Sequence, residues 1–93
     1  MAKWLTERRL VSVADRLRSL RDELRVIDEQ LAHLDGEADD AHIRSLVSET
    51  PIADVEFRDA KRHADAMARH RQELVATIAK LEQRQDELLD QLR

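Results

Sequence analysis

Residues 10–34, LVSVADRLRSLRDELRVIDEQLAHL, decide the fold. A series of large apolar side chains runs Leu10, Val13, Leu17, Leu20, Leu24, Ile27, Leu31 and Leu34, in alternating steps of three and four. An average step of about 3.5 residues keeps one stripe of a helix turned toward a neighbouring helix, so this is a coiled-coil seam. The spacing predicts a helix over 4–35, stopped at Asp35-Gly36 by the chain's single glycine.

Outward from that stretch, Glu37-Ala38-Asp39-Asp40 offers capping chemistry, and Ile43, Leu46 and Val47 recur at one-turn spacing. These residues predict a short connector helix over 39–48 with that apolar face buried. Thr50-Pro51 is a strong start signal, because threonine caps well and proline at the first helical position gives up no needed hydrogen bond. A second long helix is expected over 51–92. Its seam, traced back from the end, runs Leu92, Leu88, Gln85, Leu81, Ile78, Leu74, Arg71, Met67, Ala64, Ala60 and Phe57.

Folding the two long helices antiparallel pairs residues whose numbers sum to about 98, among them Leu17 with Leu81, Leu20 with Ile78, Leu24 with Leu74 and Leu31 with Met67. The expected fold is therefore an all-α antiparallel helical hairpin, a single domain over 1–93 with a short connector helix at its bend. Trp4 and Leu5 are expected beside Leu92, and the connector helix is expected to cover Phe57 and Ala60. Flanking charges do little for register, since Asp35 and Lys61 attract while Arg16 and Arg84 repel. Arg71 within the seam is expected to reach Asp28, a polar pairing of the kind that sets register at some cost in stability.

Composition narrows the function. The 93 residues are 39% charged and 42% apolar, with no cysteine and only Trp4 and Phe57 as Phe, Tyr or Trp residues. No disulfide framework or thiolate metal site can be built from them. Sixteen basic against twenty acidic residues give a net charge of −4, which disfavours nucleic acid and anionic membranes. Neither a secretory signal nor an apolar run long enough to span a bilayer is visible, so the expected compartment is the cytoplasm. His33, His42, His63 and His70 read as solvated flank residues, and no metal or other cofactor is expected.

Acid gathers in the bend: Glu37, Asp39, Asp40 and Glu49 against Arg44 give residues 36–50 a charge of −3. Helix capping and solubility account for much of this; a partner-facing tip is the functional alternative. Arg58, Lys61, Arg62, Arg69 and Arg71 form a basic run that Asp59 and Asp65 interrupt, as on a salt-bridged solvent face. Trp4 is a candidate contact residue, since tryptophan is enriched in binding hot spots. Val75 and Leu89 add apolar surface outside the seam, from which homodimerisation is expected.

The run Asp54-Val55-Glu56-Phe57-Arg58-Asp59-Ala60-Lys61 resembles the start of the second coiled-coil helix in the Gre family of bacterial transcript-cleavage factors. The resemblance implies an antiparallel hairpin that enters the secondary channel of RNA polymerase, where tip carboxylates hold a catalytic Mg²⁺. Thr50 and Ala53 stand where that family places its two tip acids, so the cleavage activity does not carry over. Glu49, Asp54 and Glu56 are the nearest acids. Separately, Leu20–Leu31 is similar to the first helix of the all-helical chorismate mutases, with Arg21 matching the first arginine of their anion cage. Ala38 and Glu49 fall near the positions of the other two cations, which leaves no cage for a dicarboxylate.

The reading is a non-enzymatic protein-interaction module that presents an acidic bend to a protein partner, with an RNA polymerase regulator as the alternative. Glu49, Asp54, Glu56, Phe57 and Arg58 at the bend and Trp4 at the open end are the expected contact residues.

Overall fold

The computed structural model describes residues 3–93. Two helices make up the fold: α1, Lys3–Ser48, and α2, Pro51–Gln91, joined by Glu49 and Thr50. This is an all-α helical hairpin, as the paired seams require.

One correction concerns the bend. Gly36 does not end a helix, and residues 39–48 are not a separate one; α1 runs through both. The reason is phase. After Leu34, the residues Ala38, Ala41 and Ser45 continue the steps of four and three without a break, and all three are buried. A glycine inside a helix costs about 1 kcal/mol relative to alanine. Continued burial along an unbroken seam offsets that cost. The matching extension of the second seam is Ala53, one turn before Phe57 and likewise buried.

The chain forms two compact units. One comprises the chain up to Arg25 together with Glu73–Arg93. Its core is Leu17, Leu20, Leu74, Ile78 and Leu88; Leu17 and Leu88 are 1% and 0% exposed. All five are seam positions. A 3.4 Å ion pair between Arg21 and Glu82 crosses from one helix to the other at the surface. Arg84 pairs with Glu87 on its own helix at 3.3 Å.

The other unit is Val26–Gln72, which contains the bend. Ile27 is its large buried residue, and the remainder of its buried seam is small: Ala38, Ala41, Ser45, Ala53 and Ala64. Ser45 satisfies its buried hydroxyl by donating to the His42 carbonyl at 2.7 Å. Arg71 does reach Asp28, with Nε donating to Oδ1 at 2.5 Å. That hydrogen bond, and then the attraction of the carboxylate charge, raises the Arg71 pKa above its ordinary value. Both side chains stay partly exposed, so the pair behaves closer to a surface bridge than to a buried one. Lys61 pairs with Asp65 on its own helix at 3.8 Å.

The register within this unit follows from two cross-helix pairs. Asp28 with Arg71 and His42 with Phe57 each sum to 99, in line with the value of about 98 that the leucine pattern predicts.

Candidate functional site

The bend is a two-residue turn closed by its own backbone. Glu49 has a φ of 52°, in the left-handed region, and its N–H donates to the Ser45 carbonyl at 3.2 Å. That bond and conformation terminate α1. Thr50 then caps α2: its Oγ1 accepts the Ala53 N–H at 3.3 Å, and its carbonyl accepts the Asp54 N–H at 3.2 Å. Pro51 occupies the first helical position. At the two positions where the Gre resemblance would place tip acids, Thr50 is the cap and Ala53 is buried in the seam.

Because α1 continues in phase to Ser48, Ile43, Leu46 and Val47 fall off the seam. The expectation that they are a buried face is therefore corrected. Ile43 is 60% exposed, Leu46 64% and Val47 80%. Across the turn Ile52 is 70% exposed, and Val55 is exposed as well. Five large aliphatic side chains thus surround a turn of two residues. Ile43, Val47 and Ile52 line one shallow groove, which Arg44 and Glu56 border. A second, polar depression shares Arg44 and Glu56 and continues past Glu37 and Asp40. The two therefore form one continuous strip, apolar at the turn and acidic further back.

Phe57 and Ala60 are both half-buried. It is α1 itself, and not a separate connector helix, that meets Phe57: His42 stacks on it with ring centroids 4.5 Å apart. Phe57 is thus engaged in packing within the hairpin. The other expected contact residues are on the surface. Glu49, Asp54 and Glu56 are exposed, and the Arg58 Nε donates to the Asp54 carbonyl at 3.4 Å. These acids are spread around the turn. Among the described residues, no group of three or more His, Cys, Asp or Glu could hold a metal ion.

In the other unit Trp4 is exposed beside Val11, with the Arg8 guanidinium carbon 5.8 Å from its ring centroid. Leu5 and Leu92 are half-buried near their helix ends. Trp4 lies on the surface. Among the described residues, no helix is long and apolar enough to cross a membrane.

Sequence reasoning missed Ile43, Leu46, Val47, Ile52 and Val55 as surface residues. A signal was present: once Ala38, Ala41 and Ser45 are accepted as seam positions, the first three must lie outside it. Comparisons with protein-family models, curated proteins and solved structures returned no match.

Proposed function

We propose that the chain is a non-enzymatic protein-interaction module whose bend docks on a protein partner. The observation that carries this is the exposure of Ile43, Leu46, Val47, Ile52 and Val55 around a two-residue turn. Isolated exposed aliphatic residues are ordinary, but a cluster of five on one end of a small hairpin marks a contact surface. Paired helices hold that surface rigid, so little ordering entropy is lost on docking. The acids Glu49, Asp54 and Glu56 edge the patch and keep it soluble when free.

The test is photo-crosslinking in the native host from a probe at position 46, with a probe at Val26 as control. The expected result is one partner crosslinked from 46 and not from 26, and lost when Val47→Asp is combined with Ile52→Asp at unchanged helix content. Retention of every partner by that double variant would overturn the proposal. The exposed acids beside the turn also favour a narrower reading in which the partner is RNA polymerase. That reading requires copurification with the polymerase and its loss on Asp54→Asn with Glu56→Gln.

A further inference from the structure

We infer that the strip at the bend binds a basic amphipathic segment of a partner protein. The segment's apolar side chains would seat on Ile43, Val47 and Ile52, and its lysines or arginines would run back along Glu56, Asp40 and Glu37. This rests on the reading that the bend docks a protein, and adds the chemistry of what docks there.

Charge selects the occupant. Residues 39–56 hold Asp39, Asp40, Glu49, Asp54 and Glu56 against Arg44, five acids to one base, or −4. That equals the net charge of the entire chain, so the other residues balance. The apolar groove is therefore set in a concentrated negative field, and the polar depression beside it carries Glu37, Asp40 and Glu56 against Arg44. A complementary surface has apolar anchors flanked by positive charge. Helical spacing would present both along one edge of a bound segment.

A second copy of this chain fits poorly. Bend against bend would bring two such acidic surfaces together. The exposed apolar residues of the other unit, Trp4, Val11, Val75 and Leu89, lie in a region of ten basic and nine acidic residues, a balance of only +1. Anionic lipid and nucleic acid would be repelled outright.

The experiment measures fluorescence anisotropy of a labelled helical peptide whose one edge carries leucines in its first two turns and lysines in the next two, titrated with the full chain. A glutamate-for-lysine peptide is the control. Saturable binding of the lysine peptide is expected, with none of the glutamate peptide. Val47→Ser with Ile52→Ser should weaken it about tenfold, as loss of two aliphatic contacts implies. Asp40→Asn with Glu56→Gln should weaken it severalfold and flatten the salt dependence between about 50 and about 500 mM. All four positions are exposed, and unchanged circular dichroism confirms folding.

Equal binding by either double variant would overturn the inference. So would sedimentation showing a dimer that Val47→Ser dissolves, or vesicles of anionic lipid that bind through the same residues. If crosslinking from position 46 still captures a partner while the lysine peptide fails to bind, the chemistry is wrong and bend docking survives. If capture is also insensitive to the variants, both fail.

Discussion

The imidazole of His42 lies against the ring of Phe57, with centroids 4.5 Å apart and planes within 15° of parallel. Along the seam from Ala38 to Ala64 by way of the bend, Phe57 is the one large side chain among alanines and a serine. The small residues let the helices close on it. Phe57→Ala would remove the ring, leaving His42 without its stacking surface. Because Phe57 is half-buried, the expected loss is about 1–3 kcal/mol, below the range for a fully buried ring. Thermal denaturation checks this, and an unchanged melting temperature would mean the stack carries no stability.

Gly36 sits inside α1 without a positive φ, and a Cβ built on it meets nothing within 4 Å. Gly36→Ala should therefore add helix propensity with no steric cost and reduce the freedom of the unfolded chain. The expected gain is about 1 kcal/mol, or a rise of about 4–8 °C in melting temperature for a domain of this size. A destabilised variant would instead indicate that α1 is broken at this glycine.

How much was legible depended on side-chain size. The leucine seams gave helix pairing, register and the Asp28–Arg71 bridge, because large apolar residues at fixed spacing admit few alternatives. Ala38, Ala41 and Ser45 keep the same phase, but small residues are common on any helix face and carry little periodic signal. Asp35-Gly36 then looks like a stop, and Ile43, Leu46 and Val47 look like the buried face of a new helix. The true stop, Glu49, is a residue type that rarely adopts a left-handed conformation, so composition gives no warning of it. The apolar groove was hidden by the same error, since it exists only if α1 stays in phase to Ser48.

Arg71, a seam position of α2, reaches across to Asp28 of α1. Losing a part-exposed ion pair costs at most about 1 kcal/mol, and an apolar side chain at this seam position offsets that by burial while relaxing specificity. Arg71→Leu should thus melt no lower than the natural chain and shift sedimentation toward higher oligomers. The pH sign is also fixed. The Arg71 pKa is raised in the fold, so its contribution is present below the unfolded value and lost only in strongly alkaline solution. The melting difference between Arg71→Gln and the natural chain should not change between neutral and moderately alkaline pH. A difference that vanishes on that titration would show that another group controls the bridge.

Glu49 ends α1 with a φ of 52°. A side chain with a Cβ in that conformation costs about 1–2 kcal/mol, which glycine avoids. Glu49→Gly should therefore stabilise the hairpin, by about 0.5–1 kcal/mol once the greater freedom of glycine in the unfolded chain is subtracted. Charge needs a separate control, because the carboxylate is unfavourable at the C-terminus of α1 and favourable beside the N-cap of α2, two effects of a few tenths of a kcal/mol that oppose each other. Glu49→Gln removes the charge and keeps the Cβ, so it should leave stability close to that of the natural chain. Denaturant titration of the three chains separates the effects: a glycine variant no more stable than the glutamine variant would mean that the left-handed turn is unstrained. A glycine variant that is less stable would mean that the carboxylate, in addition to the backbone, holds the turn.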